Sequence, residues 1–228
     1  MTERILRYFG RKQDIDYALA GMGLKDSCVV ESGEDMDNKI YLPDVVSDEE
    51  YFDLCDKLED GLYAEQDQSI AEVLAEFLTE NGLIISTAES CTGGMVASRI
   101  VDVPGASKFF HEGVVTYSNQ AKMDRLSVDP ATLARYGAVS KEVAKEMAYG
   151  LLNRYIDVAV STTGIAGPTG ETMANVFKPV GLVYVGIAFR TSDPIALKFN
   201  FRGSRQDIRA ASANAALFHT YKYLRDNL

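Results

Sequence analysis

Residues 83–101 read Leu83-Ile84-Ile85-Ser86-Thr87-Ala88-Glu89-Ser90-Cys91-Thr92-Gly93-Gly94-Met95-Val96-Ala97-Ser98-Arg99-Ile100-Val101. The apolar run Leu83 to Ile85 predicts a buried strand, and Met95 to Val101 predicts a helix. Between them lies a hydroxyl-rich turn with paired glycines. The glycines let backbone N–H groups approach a ligand closely, and the helix points its positive end at the same place. A nucleophile or an anion would sit at such a turn. The plainer alternative is a strand-to-helix turn capped by the side chain of Ser90 or Thr92.

Two further segments repeat the pattern. Glu112 to Asn119 reads as a strand ending in polar residues, with Gln120-Ala121-Lys122 in the helix that follows. Val158 to Pro168 is an apolar strand that breaks into Ser161-Thr162-Thr163-Gly164 and a Gly/Pro-punctuated loop. In an open α/β sheet the carboxyl ends of strands tend to face one crevice, so these three ends are expected to share one site. Helical spacing over 70–81, 140–155 and 205–224, with paired strands over 181–189 and 195–201, completes an α/β domain.

The ordered motifs A-E-S-C-T-G-G, V-T-Y-S-N-x-A-K, Gly137 to Ser140, T-G-I-A-G-P, Lys178 to Gly181 and Gly203 to Arg205 resemble those of the CinA C-terminal family, which includes nicotinamide mononucleotide deamidases. The resemblance covers about residues 70–228. It implies a three-layer α/β/α domain with a mixed sheet, which hydrolyses the carboxamide of nicotinamide mononucleotide to nicotinate mononucleotide and ammonia. It places the nucleophile on Ser90 and its lysine partner on Lys122, with Tyr117, Thr163 and Arg205 at further active-site positions. A reading from a different class, a non-catalytic nucleotide-binding or regulatory module using the same glycine-rich loops, stands beside it.

The residues support a Ser/Lys pair on chemical grounds. A serine hydroxyl needs a base, and the chain has two histidines. His219 falls in an Ala-rich helix as a surface or packing residue, and His111 lies at the start of its strand, the wrong end. Lysine takes the role if desolvation and neighbouring positive charge lower its pKa to about 7–8 from about 10.4. The bland alternative for Lys122 is a solvated helix lysine. Backbone N–H groups of Thr92, Gly93 and Gly94, or of Gly164, suit the oxyanion of a tetrahedral intermediate, each donor being worth about 2.7–4 kcal/mol. Tyr117 or Thr163 would add a hydroxyl. Arg205 suits a phosphate, with Arg202 and Arg209 as alternatives. Glu89 orients Lys122 or holds the turn together; Cys91 is a stronger intrinsic nucleophile, but neighbours on a chain point in different directions.

Three cysteines without a C-x-x-C or His pairing give no zinc site or disulfide framework, so no metal or cofactor is implied and a reducing, cytoplasmic setting is expected. No apolar run reaches about 18 residues. Residues 1–70 hold 7 Lys/Arg and 18 Asp/Glu, whereas residues 71–228 hold 16 and 15, so one segment carries the net charge and would repel nucleic acid. Residues 1–68 are therefore read as a small acidic α+β appendage to an amidohydrolase domain over 69–228. Ile5, Leu6, Tyr8 and Phe9 suggest a short helix there, Lys39 to Pro43 a strand, and Tyr51 to Leu58 a second helix. The small residues of the last helix would pack closely on the sheet or across a dimer, and a homo-oligomer acting on a small mononucleotide, without nucleic acid or membrane, is expected. Thr169 to Phe177 departs from the family's shorter loop, and Met173, Val176 and Phe177 are expected to line a pocket or an oligomer contact.

Overall fold

The computed structural model describes residues 4–33, 35–173 and 176–228. The chain opens with β1 (Arg4–Phe9), α1 (Lys12–Gly21), β2 (Val29–Ser32), β3 (Asp37–Leu42), α2 (Asp48–Lys57) and β4 (Leu62–Ala64). Their sheet has the order β2-β3-β1-β4 with every neighbouring pair antiparallel. Two βαβ units interleaved in this way make a ferredoxin-like arrangement. The stretch expected as a helix at Ile5 to Phe9 is thus strand β1. Leu6 and Tyr8 alternate onto the face that packs against Ile15, Leu19, Leu54 and Leu58, and Arg7 turns to the other face, where it pairs with Asp37 at 2.7 Å. That alternation is the period of a strand. The capping box of Ser47 and Glu50 starts α2.

The remainder comprises α3 (Ile70–Glu80), β5 (Ile85–Glu89), α4 (Met95–Val101), β6 (Phe110–Val115), α5 (Asn119–Leu126), α6 (Pro130–Tyr136), α7 (Lys141–Tyr149), β7 (Val158–Gly164), β8 (Glu171–Met173), β9 (Val176–Lys178), β10 (Leu182–Phe189), β11 (Ile195–Asn200) and α8 (Arg205–Asn227). The central sheet runs β11-β10-β7-β5-β6. Strand β5 lies parallel to both β6 and β7, and β10 is antiparallel to β7 and β11, so the sheet is mixed. Strand β7 sends Val158 and Val160 to the core shared with α3, α4 and α8, and Ala159 to the core shared with α7. Three layers follow from that alternation.

Helix α7 lies very close to the sheet. The Ser161 hydroxyl donates to the Ala144 carbonyl at 2.6 Å, and a Cβ added at Gly186 would stand 2.2 Å from that same carbonyl oxygen. The helix expected over 140–155 ends at Tyr149, and its C-cap Gly150 lies so close to the Leu126 carbonyl that a Cβ there would stand 2.0 Å from the oxygen. The stretch expected as an exposed loop at 169–177 holds the hairpin β8–β9, with Glu171 opposite Lys178. Ala174 and Asn175 lie outside the described residues; Val176 and Phe177 are exposed, the latter 65 %.

The N-terminal sheet docks its second face on α8. Phe9 stacks on Phe218 with ring centroids 4.8 Å apart, and Tyr63 meets Phe218 edge-on at 6.4 Å. His219 is wedged among Phe9, Phe199 and Phe218, and burial pushes its pKa down to about 4, as a packing residue requires. Around this apolar centre the Asn214 amide donates to the Asp35 carbonyl and carboxylate, and Lys222 reaches Asp60. Replacing Phe218 by Ala is expected to lower the unfolding free energy by about 3–5 kcal/mol, read from urea denaturation.

Candidate active site

Strand β5 ends at Glu89, and what Glu89 does explains the turn after it. Its carboxylate is buried and accepts the amides of Gly94 and Ala97 at 2.8 Å each and of Val96 at 3.1 Å. These are first-turn N–H groups of α4, which a helix cannot satisfy internally, so the acid caps the helix from the strand side. Gly94 stands at the N-cap with φ 94° and Gly93 precedes it at φ 61°, a backbone that favours glycine at both positions. Neither Ser90 nor Thr92 caps α4. The Gly94 amide is committed to Glu89, and the Thr92 hydroxyl, fully buried, is locked to the Thr162 hydroxyl at 2.6 Å.

The freed Ser90 side chain meets Lys122. Ser118 caps α5 by accepting the Ala121 amide at 3.1 Å, which places Lys122 one turn in, pointing back toward the strand ends. Its Nζ lies 3.0 Å from Ser90 Oγ, 2.7 Å from the Thr116 carbonyl and 3.2 Å from the Tyr117 carbonyl. Lys122 is 0 % exposed, and among the described residues no carboxylate forms an ion pair with it. Burial without a counter-charge drives its pKa down to about 8. The three partners suit a neutral amine, whose two N–H groups go to the carbonyls while the lone pair accepts the Ser90 hydroxyl. Lys122 is thus a buried group, in contrast to the solvated helix lysine that composition alone suggests.

The parallel strands β5, β6 and β7 bring their carboxyl ends together, as the motif spacing implies. The Ser90 amide donates to the Thr162 carbonyl at 3.0 Å and the Thr116 amide to the Glu89 carbonyl at 2.8 Å, closing the three ends into one floor. The Thr116 hydroxyl, buried beside the lysine, has no hydrogen-bond partner among the described residues. The Thr163 hydroxyl donates to the Ala138 carbonyl at 2.8 Å and ties β7 to the segment before α7. Gly164 has no room for a side chain, since a Cβ there would lie 2.6 Å from Val183.

At the mouth, Arg205 donates to the Gly167 carbonyl at 2.6 Å and to the Tyr117 hydroxyl at 3.3 Å. Tyr117 is 61 % exposed, so its ring stands in the opening while its backbone carbonyl serves Lys122. Arg209 belongs to the turn instead, with donors on the Cys91 and Thr92 carbonyls at 3.2 and 2.7 Å. Cys91 faces the apolar core, and burial pushes its thiol up to about 12, which removes it as a nucleophile. His111 stacks on Tyr155 near the amino end of β6, away from the dyad.

Sequence reasoning left Glu89 between two roles and missed the carbonyl of Thr116, the Thr92–Thr162 pair and the grip of Arg209. Backbone acceptors leave no trace in residue identity. The only available signal for Arg209 was its spacing of four from Arg205, which puts both on one helix face.

Residues 67–224 match the CinA C-terminal domain family. A CinA-like protein of Chlorobium limicola is 47% identical over 170 residues, 72% of this chain and 39% of that protein. The matched region therefore spans well under half the length of such curated relatives. The crystal structure of the competence/damage inducible protein CihA from Agrobacterium tumefaciens is 38% identical with a TM-score of 0.61, covering 71% of this chain and 99% of that one. That of the competence damage-inducible protein A (ComA) from Klebsiella pneumoniae is 32% identical with a TM-score of 0.64, covering 71% of this chain and all of its own. The chain belongs to the CinA C-terminal domain family.

Proposed function

We propose that the protein is an amidohydrolase that converts nicotinamide mononucleotide to nicotinate mononucleotide and ammonia through an acyl-enzyme on Ser90. The observation that carries this reading is the 3.0 Å contact between Ser90 Oγ and a fully buried lysine with no carboxylate partner among the described residues. A lysine whose pKa burial lowers to about 8 has a substantial neutral fraction there and is a base matched to a serine hydroxyl. The choice of substrate rests on the family motifs and on the arginine at the mouth.

In the first half-reaction Ser90 gives its proton to Lys122 Nζ as Oγ attacks the carboxamide carbon. The C=O electron pair moves to oxygen, and backbone amides of the Ser90 turn face that charge. The Lys122 ammonium, held by the Thr116 and Tyr117 carbonyls, then protonates the leaving nitrogen. The C–N bond breaks, ammonia departs, and an ester remains on Ser90. In the second half water loses a proton to Lys122, attacks the ester, and the carboxylate leaves as Oγ recovers its proton. Arg205 grips the phosphate from the opening, with guanidinium donors beyond the two bonds it makes to Gly167 and Tyr117.

Ammonia release from nicotinamide mononucleotide by the purified protein, with Ser90→Ala in parallel, tests the reading. The variant is expected to lose at least about 10³-fold in kcat while still binding substrate; bound nucleotide with no release from either protein would instead identify a binding module. The rate is expected to rise with pH and level off above about 8, because Lys122 must lose its proton to act and its pKa is lowered toward that value by burial. A flat profile of kcat/KM from pH 6 to 9 would remove Lys122 as the base. Arg205→Ala is expected to raise KM for the nucleotide about 10–100-fold while leaving the unphosphorylated nucleoside nearly unaffected, measured as the ratio of kcat/KM for the two substrates.

A further inference from the structure

Arg209 lies on α8, away from the dyad, and touches the nucleophile turn only through backbone. Its Nε donates to the Cys91 carbonyl at 3.2 Å and its Nη2 to the Thr92 carbonyl at 2.7 Å. It is half-buried, and among the described residues it forms no ion pair. An arginine that spends two donors on consecutive carbonyls of one turn, with no carboxylate to balance it, brings a positive charge to that turn as well as a tether.

Those two carbonyls belong to particular peptide groups. The Cys91 carbonyl shares its peptide unit with the Thr92 N–H, and the Thr92 carbonyl shares its unit with the Gly93 N–H. A cation bonded to the oxygen of an amide draws electron density through the conjugated unit and makes the N–H at its other end a stronger donor. The Thr92 N–H is turned to the buried Cys91 thiol, the Ser90 amide is taken by Thr162 and the Gly94 amide by Glu89, whereas the Gly93 N–H donates to no protein acceptor among the described residues. Gly93 is exposed, so its amide is open to an incoming group. The Gly93 amide, three residues beyond Ser90 on the strand-to-helix turn, is the one left open to meet an oxyanion.

We infer that Arg209 is a positioning residue for the oxyanion site. It holds the Cys91-Thr92-Gly93 turn and polarises the Thr92–Gly93 peptide group, whose N–H donor at Gly93 stabilises the charge that develops when Ser90 attacks. This rests on the amidohydrolase reading of the same site. It separates two arginines on one helix face: Arg205 serves the bound substrate, and Arg209 serves the transition state through the backbone.

The experiment measures hydrolysis of nicotinamide mononucleotide by wild type, Ser90→Ala, Arg209→Ala and Arg209→Lys, each checked by its thermal melt. Arg209→Ala is expected to lower kcat about 10–100-fold, part of the 10²–10³-fold that one oxyanion donor supplies, with KM within about twofold. The pH midpoint near 8, set by Lys122, stays in place. Millimolar guanidinium ion restores part of the lost rate, and Arg209→Lys, which brings the charge without the fork, falls between. A folded Arg209→Ala with kcat within threefold of wild type overturns the inference. So does a loss that comes with a shifted pH midpoint, since that would place the effect on Lys122. Should Arg209→Ala fail to fold, Arg209→Lys with wild-type kcat would overturn it equally. If wild type shows no hydrolysis that Ser90→Ala abolishes, the amidohydrolase reading itself has failed and this inference falls with it.

Discussion

A single buried carboxylate organises the site. Glu89 takes three amides at the start of α4 and so fixes the angle at which strand β5 passes into that helix. Without it the first turn of α4 would leave donors unpaired inside the protein, at about 1–3 kcal/mol for each buried group left without a partner. With it, Ser90 and Thr92 are released from capping. Ser90 becomes free to face Lys122, and Thr92 turns inward to Thr162. The division of labour along Glu89-Ser90-Cys91-Thr92 follows from alternation: acid and thiol into the helix-side layers, hydroxyl into the crevice.

Lys122 is the complementary constraint. A long cationic side chain is among the least favourable groups to bury, and here the cost is met by three oxygen partners and by a pKa that has moved toward neutrality. The same burial that makes the residue expensive makes it a base. Two of the partners are carbonyls at the end of β6, so the charge state of the lysine is governed by where that strand stops.

Much of this was legible in the chain. The three strand ends with hydroxyls and glycines at 86–94, 112–119 and 158–168 declared themselves by periodicity and by turn residues, and their convergence follows from the parallel order of β5, β6 and β7. What escaped was carried by groups common to all residues. The Thr116 and Tyr117 carbonyls, the Thr162 carbonyl and the amides under Glu89 are backbone, invisible to a reading of side chains. The Ala138 carbonyl that the Thr163 hydroxyl donates to is likewise backbone. The first strand was misread as a helix because six residues are too few to separate a period of 2 from one of 3.6 when Tyr8 and Phe9 are adjacent apolar residues. Interlocked βαβ units are a long-range property that local patterns in an acidic segment do not reveal.

Helix α8 is held like a shaft in two bearings. Nine residues separate Arg209 from Phe218, which is two and a half turns and about 13 Å of rise, so the two side chains leave the helix on opposite sides. One is anchored in the nucleophile turn and the other is clamped under Phe9 and Tyr63 of the N-terminal unit. A rod fixed on opposite flanks at two heights cannot roll about its own axis without breaking one of the grips. The N-terminal sheet therefore sets the roll of the helix that carries both arginines.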